Sequence, residues 1–146
     1  MISPLNQFLP KGFREPKNVI KYFSEIESLD YSLTNVSGIY IIFSREQEFV
    51  YPNGQSRVIY IGKSDNLRKR IGVHFNAYNR IKSMTKAEKI GYWTEYRYFY
   101  MDKFDAGIAW FTTRGTQTSK QLETNIMEFF YDRYLSLPVG NGAFSY

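Results

Sequence analysis

Two short, dense apolar runs constrain this chain more than any other feature. Gly38 to Phe43 reads GIYIIF, and Val58 to Ile61 reads VIYI and ends at Gly62. Both runs are too short for a buried helix and are built from β-branched and aromatic residues, so each predicts a buried strand. Between them, Arg45 to Arg57 is polar and contains the turn dipeptide Asn53-Gly54, which predicts a hairpin-like excursion. A chain with this pair must build a sheet and cover it with helices.

The covering helices are legible on either side. Ser64, Asp65 or Asn66 can cap a helix whose apolar positions Leu67, Ile71, Phe75 and Tyr78 form one core-facing stripe, with Arg68, Lys69 and Arg70 on its flanks. A second helix opens at Thr118-x-x-Gln121, the pattern of a capping box. It runs through Leu122, Ile126, Phe129, Phe130 and Tyr134 and stops before Pro138. The tail after it, with Gly140 and Gly142, reads as a loop. Val19, Ile20, Tyr22, Phe23, Ile26 and Leu29 recur at helical spacing, which predicts a short helix from Lys17 to Leu29. Ahead of it, Pro4, Pro10, Gly12 and Pro16 mark residues 1–16 as an irregular arm. Residues 82–91 are basic and read as helix or loop. Tyr92 to Met101 alternates in the manner of a strand and is read as core sheet rather than as a platform for stacking bases. Ile108 to Thr113 reads as a further strand. The sum is a small α/β (α+β) domain, a central three-stranded or slightly larger mixed sheet flanked by helices. Residues 1–36 form an arm and short helix, residues 37–146 the main body, and the whole is one unit.

Composition narrows the chemistry. The 146 residues include no Cys and one His, at position 74. That excludes disulfides, Cys-ligated zinc, iron–sulfur clusters, cysteine nucleophiles and any monomeric zinc site that needs several His ligands. The net charge is +5, and ten Lys/Arg against four Asp/Glu lie between Lys63 and Lys103, so the excess is confined to that stretch. A concentrated basic stretch is the footprint of a surface facing a polyanion, with nucleic acid first. No segment approaches the roughly 18 apolar residues of a membrane span, and Met1 to Phe13 lacks the apolar stretch of a signal peptide. The expectation is an intracellular, cytoplasmic protein without a membrane partner.

The motifs then combine. Gly38-Ile39-Tyr40 on one predicted strand and Tyr60-Ile61-Gly62 on the next, followed by a basic helix, resemble the GIY-YIG nuclease family. Arg70 lies eight residues after Gly62, and His74 one helical turn later. Leu122-Glu123-Thr124-Asn125-Ile126 is similar to the family helix that bears the metal-binding Glu, and Pro138-Val139-Gly140-Asn141 to its closing element. The similarity covers roughly residues 37–142, with no counterpart for residues 1–36.

The resemblance implies a metal-dependent endonuclease that hydrolyses DNA, with duplex DNA as partner and Mg²⁺, replaceable by Mn²⁺, as cofactor. It implies Glu123 as the metal ligand and Tyr40, Tyr60, Arg70, His74 and Glu123 as catalytic residues, with Lys63 and Asn141 in support. The chemistry agrees. Mg²⁺ needs only one or two carboxylates when phosphate and water complete its shell, and the planar fork of Arg70 matches phosphate oxygens. Tyr40 and Tyr60 would converge from adjacent strands to orient or deprotonate water. A free phenol titrates near ~10, so a base role needs a lowered pKa. His74 is either a proton relay or a satisfied partial-core residue. Glu128 is read as structural. Arg68, Lys69, Lys82, Lys86 and Lys89 are candidates for the DNA backbone. Nineteen residues separate Tyr40 from Tyr60, more than in minimal family members, and the stretch between His74 and Glu123 is likewise enlarged. The alternatives are a nucleic-acid-binding protein of this fold without catalysis, and a ribonuclease or structure-selective repair nickase. Oligomeric state is left open.

Overall fold

Strand β2 (Gly38–Phe43) is the axis of the protein, and every one of its residues is buried. A computed structural model describes residues 8–9, 21–26, 36–91, 96–113 and 115–141. β2 pairs with β5 (Val58–Ser64) on one side and β6 (Gly107–Thr112) on the other, and β1 (Lys21–Tyr22) pairs with β6. The order is β1-β6-β2-β5, antiparallel throughout. The expected small α/β (α+β) domain on a sheet slightly larger than three strands is the fold observed, with the sheet antiparallel rather than mixed because every neighbouring pair of strands runs in opposite directions.

Side-chain alternation along β2 sorts its residues into two cores. Ile39, Ile41 and Phe43 face helix α4 (Ser119–Tyr134), where Leu122, Ile126, Met127 and Phe130 meet them. Tyr40 and Ile42 face the opposite core, with Leu67, Ile71 and Tyr78 of helix α1 (Leu67–Lys82) and Met101 of helix α3 (Tyr96–Lys103). A strand covered on both faces has no polar side, which explains the unbroken GIYIIF run. A short helix, α2 (Lys86–Gly91), lies between α1 and α3 and buries none of its residues.

The polar excursion is a hairpin, β3 (Phe49–Tyr51) with β4 (Gly54–Ser56). It is tied to the end of α4, where the Asn53 amide group donates to the Arg133 carbonyl at 3.0 Å and Arg133 donates back to the Asn53 carbonyl at 2.8 Å. β5 is an edge strand, and the 138–141 segment covers its open side. The Gly140 N–H donates to the Ile59 carbonyl at 2.6 Å, so the exposed ladder is blunted by the chain itself.

Two expected elements take other forms. Within the predicted Lys17–Leu29 helix, residues 21–26 are β1 followed by a 3-10 turn at Phe23–Glu25; positions 17–20 and 27–29 lie outside the described residues. Tyr22 completes the edge of β6 opposite Gly107. Phe23 enters the α1-side core against Tyr78, with ring centroids 5.5 Å apart. Apolar residues that alternate between a sheet edge and a core can mimic helical spacing over a short window. The predicted Tyr92–Met101 strand is, from Tyr96 on, the helix α3; positions 92–95 lie outside the described residues, as do residues 1–7, 10–16 and Gly142. There the same aromatics satisfy helical spacing: Tyr98 and Met101 face the core, and Tyr100 stacks on Phe104 at 5.9 Å. Among the described residues no helix is long and apolar enough to cross a membrane.

Phe130 is fully buried, edge-on to Tyr51 at 5.4 Å and 4.6 Å from the Tyr134 ring. Phe130→Ala is expected to cost about 3–5 kcal/mol. Val50→Ala on the hairpin, at a side chain 78% exposed, should stay within about 0.5 kcal/mol. Urea unfolding of the two variants checks the contrast.

Candidate active site

Strand register brings two tyrosines to one face. Tyr40 lies opposite Gly62, and Ile42 opposite Tyr60, so the two rings are diagonal neighbours on the α1 side, 6.0 Å apart. The residue at 62 decides whether this is possible. A Cβ there would collide with the tip of the Tyr40 ring and its hydroxyl, and would come within 2.8 Å of the Tyr60 ring. Gly38 does the same service at the other side of β2, where a Cβ would strike the Phe111 carbonyl and approach Leu67 to 2.8 Å.

Helix α1 supplies the next two groups. Its N-cap is Asn66, whose side chain accepts from the Lys69 N–H at 3.1 Å. That start fixes the helix phase and sets Arg70 in the first turn, where Nε donates to the Tyr40 hydroxyl oxygen over 3.4 Å. One turn on, the fully buried His74 places Nε2 2.6 Å from the same hydroxyl. The His74 ring also lies 5.9 Å from Tyr60 and 5.7 Å from Tyr98. The structure therefore gathers Tyr40, Tyr60, Arg70 and His74 into one contact network.

Burial sets the protonation states. It pushes the Tyr40 phenol well above its ordinary range, and the neighbouring Tyr60 adds to that, while the hydrogen bond and charge of Arg70 offset only part. The phenol is neutral, not the lowered-pKa phenolate that a base role demands. Burial, with the charges of Arg70 and then Arg97, lowers His74 to about 3, so the imidazole is neutral too. It has two neutral tautomers. In the one protonated at Nδ1, Nε2 accepts from the Tyr40 O–H; in the other, Nε2–H donates to the Tyr40 oxygen. Nδ1 is buried and has no partner among the described residues.

Glu123 belongs to α4, on the other face of the sheet. The Thr118–Gln121 capping box is formed in full, and Ser119 donates to Asp65 at 3.0 Å, which anchors the start of α4 to the loop after β5. Glu123 lies one turn in and is 8% exposed. Burial raises its carboxyl, and Lys63 and then Lys120 pull it down. Among the described residues no hydrogen bond is made to it, and none of the contacts joins it directly to the Tyr40 network. The two halves meet at the end of β5, where Gly62 carries the Tyr40 ring and the next residue, Lys63, acts on Glu123. Among the described residues no group of three or more acidic, His or Cys side chains could hold a metal alone. A buried carboxylate that accepts no hydrogen bond among the described residues fits the single-carboxylate mode of Mg²⁺, in which phosphate and water complete the shell.

Asn141 acts on the strand itself. Its side-chain oxygen accepts from the Ile61 N–H, and its amide group donates to the Ile61 carbonyl, both at 2.9 Å. It thus pins β5 between Tyr60 and Gly62. Of the basic candidates, Lys69, Lys82 and Lys86 are exposed and Arg68 is half-buried. Lys89 is spent on Asp102, 2.8 Å away. Glu128 is exposed on α4 and away from the network. Two residues at the site went unread in the sequence, Arg97 and Tyr98. Reading their segment as a strand hid them, and the only signal was the place of Arg97 in the basic stretch.

The GIY-YIG catalytic domain family matches residues 36–130, a span that takes in the whole Tyr40–His74 network and Glu123. This chain belongs to the GIY-YIG family. Among curated proteins it is similar to UvrABC system protein C of Mycoplasma mycoides subsp. mycoides SC, 28% identical over 102 residues, 70% of this chain and 13% of that protein. UvrABC system protein C of Mycoplasma capricolum subsp. capricolum is 34% identical over 70 residues, 48% of this chain and 10% of that protein. The chain thus spans a small fraction of the length of these relatives. No solved structure matches it at a significant level. In this chain the two tripeptides meet at one contact, the Tyr40 and Tyr60 rings against Gly62, while Gly38 admits Phe111 and Leu67. The GIY-YIG assignment supports a nuclease as the coarse reading.

Because His74 is the only histidine, its ring protons can be assigned without ambiguity. They should keep neutral-form shifts at about pH 5, where an exposed imidazole is mostly charged. The linkage has a definite sign. The unfolded chain takes up the proton near 6.5 and the folded chain only near 3, so this residue lowers stability as pH falls across that window and is without effect above it. His74→Asn should flatten the acid side of the stability curve; an NMR titration and urea melts at several pH values check both.

Proposed function

We propose that this GIY-YIG domain is a Mg²⁺-dependent endonuclease that hydrolyses duplex DNA. The observation that carries the proposal is the buried network in which one hydroxyl, that of Tyr40, is shared by the Arg70 guanidinium and a neutral His74.

Hydrolysis of a phosphodiester needs a water aligned with phosphorus, neutralisation of the charge that develops there, and support for the departing oxygen. Arg70 spends only Nε on Tyr40, which leaves the terminal N–H groups of its fork for phosphate oxygens. Tyr40 orients water through its oxygen. In the tautomer protonated at Nδ1 it passes its own proton to Nε2 of His74 as it takes one from the water. The low proton affinity of His74 in the free protein derives first from burial and then from the charges of Arg70 and Arg97. A bound phosphate offsets those two charges and so raises it, against the burial that still holds it down. Tyr60 packs beside the pair and narrows access to it. Glu123 would hold the metal ion with Lys63 at its side, and the ion when bound supplies charge neutralisation at phosphate. Asn141 holds β5 in register. Lys69, Lys82, Lys86 and Arg68 provide contacts along the duplex, with Lys89 contributing less because Asp102 already occupies it. A bound polyanion accounts for the basic stretch, and the cytoplasm is the compartment proposed for such an enzyme.

Arg68 and Lys69 cannot share the role of Arg70, since they lie about 200° and 100° away around the helix. Arg70→Ala should lower the single-turnover rate on plasmid by about 10²–10³ while DNA binding weakens modestly, and Arg70→Lys should restore little. Arg68→Ala and Lys69→Ala should weaken binding and cut near-normally at saturating protein. Glu123→Gln should abolish cleavage in Mg²⁺ with affinity retained. Plasmid cleavage and filter binding, run with DNA and with RNA of matched sequence, test the set. Normal cutting by Arg70→Ala or Glu123→Gln would remove that residue from the mechanism, and RNA cut in preference to DNA would establish the ribonuclease.

A further inference from the structure

Helix α3 brings a second guanidinium to the site. The Arg97 Cζ lies 4.6 Å from the centroid of the Tyr60 ring, and its charge acts on His74 together with that of Arg70. Each site tyrosine therefore carries a guanidinium of its own, Arg70 on the Tyr40 hydroxyl and Arg97 on the Tyr60 ring. Arg97 is half-buried. Among the described residues no carboxylate pairs with it, because Asp102 is taken by Lys89 and Asp105 by Arg45.

That arrangement is unfavourable for the protein alone. Two cations near one buried, neutral histidine repel each other, and partial burial strengthens the repulsion. A purely structural side chain at this position would be relieved by an acidic partner. What the arrangement suits is an anion that arrives from outside. A guanidinium lying against a ring uses its face for the ring and keeps its edge of N–H donors for a planar or tetrahedral oxyanion. The Tyr60 ring also restricts the side chain, so little freedom remains to be lost on binding.

We propose that Arg97 is a second phosphate-contacting residue of this site, gripping the DNA backbone at or next to the phosphate held by Arg70 while its face rests on Tyr60. The inference rests on the nuclease reading above and extends it to a residue outside the motifs.

Single-turnover cleavage of supercoiled plasmid in Mg²⁺ at saturating protein, and binding of the same plasmid in EDTA across a salt series, test it with the full chain. Arg97→Ala should cut at least tenfold more slowly and show a salt slope shallower by about 0.9, the value for one lost phosphate contact. Arg97→Lys retains the charge and the stem and also serves if the alanine variant does not fold. It should keep the slope near wild type yet remain at least tenfold slow, since an ammonium cannot stack and fork at once. Cleavage within threefold of wild type by either variant would overturn the proposal. So would slow cleavage by Arg97→Ala with an unchanged slope, the signature of a merely structural side chain. If wild-type protein leaves plasmid uncut in Mg²⁺, the nuclease reading fails on its own, and the slope alone then decides Arg97: shallower by about 0.9 upholds the contact, unchanged overturns it.

Discussion

One close approach, the tip of the Tyr40 ring against the backbone of Gly62, organises both the sheet and the site. β2 is covered on both faces, so Tyr40 is a core residue before it is anything else. Its hydroxyl reaches the edge of that core only because β5 presents no side chain at the facing position. Once there, it meets His74 and Arg70 from α1, whose phase is set by the Asn66 cap. Asn141 holds β5 from its open edge, between Tyr60 and Gly62. Packing that stabilises the domain and packing that assembles the site are the same contacts.

The electrostatic consequence is a cluster of neutral hydrogen-bonding groups flanked by cations. Tyr40 and His74 are both held uncharged by burial, and Arg70, Arg97 and Lys63 surround them or adjoin them through β5. Glu123, the single buried carboxylate among the described residues, lies across the sheet; its desolvation outweighs the pull of Lys63 and then Lys120 and raises its carboxyl. Such a balance is poor for an isolated protein and suits one that receives an anion. A local excess of positive charge at the site is thus a property of the three-dimensional arrangement and not only of the Lys63–Lys103 stretch.

Much of this was legible in the residues. GIYIIF and VIYIG announce buried strands because both faces of each are covered. The Thr118–Gln121 box announces the start of α4 because capping is local chemistry, indifferent to tertiary context. The place of His74 one turn after Arg70 on the same face of α1 follows from helix spacing. What the residues did not disclose is tertiary in origin. Tyr22 and Phe23 have helical spacing but complete a sheet edge, which only the open side of β6 can explain. Tyr98, Tyr100 and Met101 read like a strand yet turn as a helix against α1, because Tyr98 and Tyr100 at i, i+2 fit a strand face while Tyr98 and Met101 at i, i+3 fit a helix face over so short a window. With that helix misread, Arg97 had no visible connection to Tyr60, and the second cation of the site stayed hidden. The neutral state of Tyr40 was equally out of reach, since desolvation depends on what the far side of the chain covers.

The most direct measurement is on Gly62→Ala, with plasmid cleavage in Mg²⁺ and the His74 ring resonances recorded on the same preparation. The account predicts a folded protein in which the added methyl displaces the Tyr40 ring. The His74 signals should shift as the Tyr40 hydrogen bond is broken, and single-turnover cleavage should fall by about two orders of magnitude. A variant that cuts at the wild-type rate with unmoved His74 resonances would contradict it.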